Sequence, residues 1–224
     1  MRYYTELESI SIESFQLKLE LADLLPSRIL LKERLKERFG YFKSLGITNV
    51  LELQKLLKKK EKLAELAKVD AFTEDYLVVL LREINSIQPK PNKISEFIGI
   101  SPETVSKFEI IGIKDTVKLF DRVLTHDKRK KLATETNIPE VEILELTKLT
   151  DLSRIKWVGA TFASMLVAVG IDNTEKASNA DSVELHQKII QLNKEKNFYK
   201  GQIGLHDIKL FVEAAREVSF EIQF

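Results

Sequence analysis

The sequence predicts an all-α fold of tandem diverged repeats, and three observations support this prediction. Its 224 residues include only eight glycines and five prolines, while leucine, lysine, glutamate and isoleucine are abundant, a bias that favours helices over a turn-rich β fold. Several segments carry apolar residues at the helical spacing of three to four. A short element built around Gly-Ile also recurs three times, which indicates a repeat architecture.

The recurring element predicts a helix, a tight turn and a second helix. Glycine just past a helix adopts positive φ and closes the last turn. The isoleucine then packs back on that helix, and a polar side chain caps the next one. We therefore predict positive φ at all three glycines. The copies are Leu45-Gly46-Ile47, Ile111-Gly112-Ile113 and Val169-Gly170-Ile171, with Thr48, Asp115 and Asp172 as the expected caps.

Further helices are predicted in order along the chain from apolar spacing and capping residues. No hairpin glycine precedes Gly46, so residues 31–42 are predicted as one continuous helix after Pro26. Apolar residues alternate at positions 3 to 7 and 218 to 224, which is compatible with a small strand pair formed by the termini. The other predicted helices cover residues 11–20, 73–85, 127–136, 139–146, 181–192 and 205–218.

One segment, residues 88–92, marks a domain boundary because its two prolines exclude a helix. The predicted organisation is an N-terminal diverged helical unit of residues 1–92, followed by a tandem domain of residues 93–224. Within that domain the two units cover about residues 93–150 and 151–224.

Composition limits the function classes. The chain has no cysteine, which excludes disulfides and thiolate metal sites and fits a reducing compartment. The first residues lack the apolar stretch of a signal peptide, and no apolar run approaches the roughly 20 residues that cross a membrane. We therefore expect a cytoplasmic protein without membrane association. The formal net charge is +1, so any nucleic-acid binding must use local basic patches.

Catalysis is not expected. His126, His186 and His206 are far apart in the sequence, and none has metal-ligand spacing to another histidine or to a carboxylate pair. No P-loop, dinucleotide-binding fingerprint or nucleophile elbow is present. The prediction is a protein that is not an enzyme, with no cofactor, metal or small-molecule substrate and no cavity that unites two ionisable groups with strongly shifted pKa values.

Residues 94–218 resemble a bacterial family of unknown function that carries tandem helix-hairpin-helix-like units. The resemblance is most specific at residues 149–155 and continues through Val158-Gly159, Gly170-Ile171 and residues 179–193. It implies the fold and no assigned activity. Similarity to helix-hairpin-helix domains in general implies phosphate binding, in which glycines let the hairpin backbone approach a phosphate and N–H groups at the second helix bind it.

Two hairpins are candidates for such a site. The Gly99 hairpin (residues 97–103) has Ser101 in place of the second glycine, and Glu103 in the first helical turn would repel a phosphate; ordinary capping explains this sequence. The Gly159 hairpin (residues 155–161) has no acid nearby, and Arg154, Lys156 and Thr161 lie beside it. Phosphate binding is therefore better supported at Gly159.

Trp157 and the basic runs leave several interpretations open. The tryptophan replaces a hairpin glycine; core packing is the favoured interpretation, ahead of anchoring a protein partner or stacking on a base. Basic runs follow the first two Gly-Ile turns, at residues 55–62 and 128–131, and a sparser cluster follows the third at residues 194–200. A solvated helix face is the ordinary meaning of such runs, but their recurrence favours binding.

The sequence thus predicts a non-catalytic binding module with weak, sequence-independent binding of nucleic acid, in particular DNA. The alternative is a protein–protein interaction or scaffold module. The predicted nucleic-acid contacts are Arg154, Lys156, Gly159, Thr161, Gly99, Ser101, Lys128, Arg129, Lys130 and Lys131, and Trp157 is the candidate anchor for a protein partner.

Overall fold

The computed structural model describes residues 2–224, and within this range every regular element is helical. The all-α prediction is therefore confirmed. The chain forms two compact units, an N-terminal unit of Thr5–Gln88 and a C-terminal unit of residues 2–4 with Pro89–Phe224. The division comes at the start of the proline segment and not at residue 92. The reason is that Asn92 is buried in the C-terminal unit, where its Nδ2 donates to Ser153 Oγ at 2.8 Å and Val158 O at 3.0 Å.

The N-terminal unit contains five α-helices and two short 3₁₀ segments around an aromatic core. Phe15, Phe39, Phe42 and Tyr76 are fully buried in this core. The 3₁₀ segments are Leu7–Ser9 and Pro26–Lys32, and the α-helices are α1 (Ile12–Leu21), α2 (Leu35–Ser44), α3 (Val50–Lys58), α4 (Lys60–Leu66) and α5 (Glu74–Ser86).

The C-terminal unit contains eight α-helices and the 3₁₀ segment Ile94–Glu96. Its core includes Phe108, Phe120, Leu146 and Leu166, all buried. No helix within residues 2–224 is long and apolar enough to cross a membrane. The α-helices are α6 (Pro102–Ile110), α7 (Thr116–Val123), α8 (His126–Thr136), α9 (Glu140–Leu152), α10 (Ala160–Ala168), α11 (Thr174–Ser178), α12 (Ser182–Lys196) and α13 (Leu205–Ala215).

The three Gly-Ile turns have the same backbone geometry. Gly46, Gly112 and Gly170 have φ of 80°, 78° and 90°, so the predicted positive φ is confirmed at each. In every copy the isoleucine N–H donates to a carbonyl five residues earlier, and the glycine N–H donates to one three residues earlier. This pair of bonds is the Schellman motif, which satisfies carbonyls at the end of the preceding helix.

The helix that follows each turn is capped three residues after the glycine. Asn49, Asp115 and Asn173 accept the hydrogen bond from the third N–H of α3, α7 and α11. The predicted cap at Asp115 is confirmed, whereas those at Thr48 and Asp172 are wrong by one residue. Thr48 instead donates to the Glu52 carboxylate, and Asp172 pairs with Lys176 at 2.8 Å.

The repeat extends beyond the turn, because three helices follow it in each copy and the first of them packs against the third. These pairs are α3 with α5, α7 with α9, and α11 with α13. In each copy another turn precedes the helix that ends at Gly-Ile. This turn contains one residue with a left-handed backbone, which is Arg34 in the first copy, Gly99 in the second and Trp157 in the third. The prediction of a continuous helix over residues 31–42 is therefore wrong. The chain breaks at Arg34, whose guanidinium bonds Glu37 and Asp70.

The suggested strand pair of the termini is also wrong, since no strand forms in residues 2–224. The segment after α13 is not helical, and of its alternating apolar residues Ile222 is buried while Phe220 and Phe224 are exposed. A buried side chain joins the two ends instead. The guanidinium of Arg154 donates from Nε to Tyr3 O at 3.3 Å and from Nη2 to Ser219 O at 2.8 Å.

Two glycines of the N-terminal unit provide a matched pair for testing the Gly-Ile turn. Gly40 lies inside α2 and Gly46 follows its end, and a Cβ at either position would meet no other atom within 4 Å. We expect Gly46→Ala to destabilise the unit by about 1–2 kcal/mol because alanine is strained at positive φ. Gly40→Ala should stabilise it by about 0.5–1 kcal/mol, since alanine loses less entropy in a helix.

Urea unfolding of the two variants measures both effects. Equal signs for the two substitutions would contradict the proposed role of the Gly46 turn, because the same methyl group is added in both cases.

Candidate functional site

The Gly159 hairpin connects α9 to α10. After Leu152 the chain continues through a turn in which the Ile155 N–H donates to Leu152 O and the Val158 N–H donates to Ile155 O, each at 3.1 Å. Gly159 is the N-cap of α10, with extended φ and ψ of −82° and 170°. Its backbone is exposed, so the hairpin presents the start of α10 at the surface.

The N-terminus of α10 has neither a side-chain cap nor an acidic residue in its first turn. Among the α-helices of residues 2–224 it is alone in this. Most of the others are capped by a serine, threonine, asparagine or aspartate side chain, and α2, α4, α9 and α13 carry an acid in the first turn. The first N–H groups of a helix lack intrahelical acceptors, and the helix dipole favours an anion beside them. This end of α10 therefore suits a negatively charged ligand.

Trp157 is 44% exposed, so the interpretation that it packs in the core is wrong. Its φ is +70°, in the left-handed region, and Gly99 occupies the corresponding place in the preceding copy with φ +88°. The left-handed conformation costs a residue with a side chain roughly 1–2 kcal/mol. The Lys156 ammonium lies 4.1 Å from the centroid of the Trp157 ring, within the range of a cation–π interaction.

The Gly99 hairpin is a structural turn. Ser101 caps α6 by accepting the Thr104 N–H at 3.0 Å, and Glu103 pairs with Lys107 at 2.8 Å. The capped, acidic start of α6 leaves no place for a phosphate, which removes Gly99 and Ser101 from the predicted contacts. The hairpin does lie against α10, because the Ile98 N–H donates to Ser164 Oγ at 3.2 Å.

Arg154 is not available for a phosphate either. Its side chain is 1% exposed and forms an ion pair of 2.8 Å with Asp151, which is 2% exposed. The other Asp151 oxygen accepts from the Thr174 N–H at 2.8 Å and the Thr174 hydroxyl at 2.9 Å. Together with its bonds to both ends of the chain, this makes Arg154 a structural residue. The spacing of Asp151 and Arg154 at the apolar end of α9 was the sequence signal for this ion pair.

The basic run on α8 contains both a buried structural arginine and exposed lysines. Arg129 is buried and donates to Val123 O at 3.0 Å and Gln223 O at 2.7 Å, and this burial lowers the pKa of its guanidinium. Lys128 is exposed, and its Nζ donates to Asp121 O at 2.9 Å. Lys130 and Lys131 are also exposed. Three lysines of the run therefore face solvent, while its arginine holds the C-terminal segment.

The cations beside α10 are fewer than predicted. Lys156 is half-buried next to Trp157, and Thr161 is half-buried in the first turn of α10. α8 packs on α7 and α9, whereas α10 packs on α9 and α12. The hairpin and the α8 run are thus separate surface features that share α9 as a neighbour.

A second basic surface lies in the N-terminal unit, where α3 ends and α4 begins. We call this surface, formed by residues 55–62, the lysine corner. Glu61 is the single acid among these residues. Lys62 pairs with Glu65 at 2.7 Å. All five of its lysines are exposed: Lys55, Lys58, Lys59, Lys60 and Lys62.

A surface cavity of about 400 Å³ in the N-terminal unit does not have the features of a catalytic site. It is lined by Glu20, Lys32, Arg34, Leu35, Lys36 and Glu37. The hydrogen bonds between Arg34 and Glu37 raise the pKa of the guanidinium and lower that of the carboxyl. Both shifts favour the charged forms that these groups have at neutral pH, so neither is prepared for proton transfer. Within residues 2–224 no group of three or more histidines and carboxylates is placed to hold a metal.

Comparison with known proteins identifies one family. A model described as a domain of unknown function (DUF4332) matches residues 98–218, which is more than half of the chain and spans α6 to α13. No curated protein and no solved structure matches significantly.

Proposed function

The chain belongs to the DUF4332 family, and we propose that it is a non-catalytic module that binds nucleic acid weakly and without sequence preference. The observation that carries this proposal is the open N-terminus of α10, which has no side-chain cap and no acid in its first turn. A phosphate is the anion that helix-hairpin-helix elements bind with such backbone N–H groups.

In the proposed complex the N–H groups that follow Gly159 contact one phosphate. Lys156 and the Thr161 hydroxyl lie within two or three residues of Gly159 and supply further polar groups. The exposed lysines of α8 and the lysine corner contribute charge at other phosphates. Backbone amides and lysines do not distinguish bases, so binding follows the sugar–phosphate chain and not its sequence.

The near-neutral net charge limits the affinity. At a formal charge of +1, the chain neutralises only a few phosphates, on the order of three to five, which gives an affinity typical of non-specific binders. A cytoplasmic location is part of the proposal, in keeping with a sequence that contains no cysteine.

Charge reversal at single lysines tests where the phosphate binds. We expect Lys156→Glu to weaken binding of labelled DNA more than Lys130→Glu, because Lys156 lies beside the open end of α10. The plot of log affinity against log salt should become less steep by about 1 for each substituted lysine that contacts a phosphate. Fluorescence anisotropy at low salt measures both quantities for duplex and single-stranded DNA.

Lys118→Glu on the exposed face of α7 is the matched control and should leave the affinity unchanged. No binding at tens of micromolar protein, or binding indifferent to Lys156→Glu, would contradict the proposed site.

A protein-interaction module is the second candidate, and the 44% exposure of Trp157 is the observation that favours it. Nuclease treatment separates the two functions. A partner that the full chain retains from native lysate only without nuclease is held through nucleic acid, whereas one that survives digestion and is lost in Trp157→Ala supports direct protein binding.

A further inference from the structure

Trp157 occupies a position where the left-handed backbone favours glycine. In the preceding copy Gly99 takes the same left-handed backbone without a side chain. Burial of the ring only partly offsets the conformational cost of this backbone at Trp157, since the residue is 44% exposed. Strain of this kind is typical of residues that a binding site requires.

A cation and an exposed backbone lie next to Trp157 in the sequence. Lys156 places its ammonium 4.1 Å from the ring centroid, and the exposed Gly159 backbone follows two residues later. Val158, the apolar residue between them, is buried. A hot spot for a protein partner is normally ringed by contacts that exclude water. The ammonium of Lys156 lies over one face of the ring, so a base would stack on the other face while the cation serves the phosphate. An aromatic ring that carries a cation in this way matches the two parts of a nucleotide, which are a flat base and a phosphate.

We infer that Trp157 stacks on an unpaired base and gives the module a preference for single-stranded over duplex nucleic acid; this inference rests on the proposed function. In a duplex both faces of each internal base are covered by its neighbours, so the ring finds no partner there. A single strand offers a free base face at every nucleotide, and aromatic stacking on it tolerates any sequence.

The sole tryptophan of the chain reports directly on this contact. We expect short oligothymidylate to quench the intrinsic tryptophan fluorescence of the full chain, and a blunt duplex of the same length to change it little. Trp157→Gly should lower the affinity for labelled oligothymidylate by roughly 5- to 150-fold, the range measured for loss of one stacked base. The affinity for the duplex should not change.

Three variants of Trp157 separate stacking from folding. Trp157→Gly introduces the residue that suits positive φ, so its melting temperature should equal or exceed that of the wild type. Trp157→Phe keeps an aromatic face and should retain most of the single-strand affinity, whereas Trp157→Leu should not.

The outcomes distinguish this inference from the proposed function. Equal binding of single strand and duplex, or single-strand binding that leaves the tryptophan fluorescence and the Trp157→Gly affinity unchanged, overturns the stacking role while the proposed function stands. Absence of binding to either probe overturns both and favours a protein partner for Trp157.

Discussion

Asp151→Ala is expected to destabilise the C-terminal unit by about 3–5 kcal/mol, the usual cost of removing one partner from a buried ion pair. The substitution leaves the Arg154 guanidinium charged and only 1% exposed, without its carboxylate. It also removes the acceptor of the Thr174 N–H and hydroxyl at the start of α11. Since the free energy of unfolding of a domain is only about 5–15 kcal/mol, this substitution removes a large part of it.

Chemical denaturation of the full chain measures this loss, with Glu184→Ala as the control. Glu184 pairs with Lys188 at 2.6 Å in an exposed position on α12, and such pairs contribute little. A double variant, Asp151→Ala with Arg154→Met, should be more stable than Asp151→Ala alone because it removes the unpaired charge. A loss below about 1 kcal/mol for Asp151→Ala would mean that Arg154 finds solvent, and would return it to the candidate phosphate contacts.

For the proposed complex we expect the affinity for nucleic acid to fall by about a hundredfold when salt rises from about 50 to about 200 mM, because contacts to some four phosphates would release their counterions. The log–log slope should accordingly be about −3 to −4. This is the largest change in binding that the proposed function predicts. Anisotropy titrations at several salt concentrations, with the same oligonucleotide, determine the slope.

Charge-reversal variants show how much each basic surface contributes to the salt dependence of binding. Reversing Lys128, Lys130 and Lys131 should reduce it if α8 contacts phosphates, and reversing Lys58, Lys59 and Lys60 tests the lysine corner in the same way. A slope near zero would exclude phosphate contacts as the basis of binding, whereas a slope far steeper than −4 would require cations beyond these surfaces.

The turns of this fold could be predicted from the sequence because their hydrogen bonds are local. Gly46, Gly112 and Gly170 each close the helix that directly precedes them, so residue type and spacing were sufficient. The break at Arg34 gave no such signal, since neither glycine nor proline lies there. Its left-handed backbone is accompanied by bonds to Asp70, which is distant in sequence.

The candidate site was harder to predict because exposure depends on tertiary packing. Arg154 and Arg129 each have other basic residues close by in the sequence, as a phosphate site would, yet both side chains are buried against carbonyls of the C-terminal segment. Trp157 shows the opposite error. A lone tryptophan favours the core, but its alignment with Gly99 already placed it in a turn, where the backbone conformation leaves the ring at the surface.

Gly159→Asp tests the central claim most directly. Gly159 has extended backbone angles that any residue adopts, and a Cβ there would meet no atom within 4 Å. The new carboxylate should accept the N–H groups of the first turn of α10, as aspartate does at other N-caps, so folding stability should be unchanged or slightly higher. It also places a negative charge at the proposed phosphate site. We predict that affinity for DNA falls by at least about tenfold, the equivalent of one charge-assisted hydrogen bond, with a smaller loss for the neutral Gly159→Asn. A folded Gly159→Asp protein that binds DNA as tightly as the wild type would show that the start of α10 is not the phosphate site.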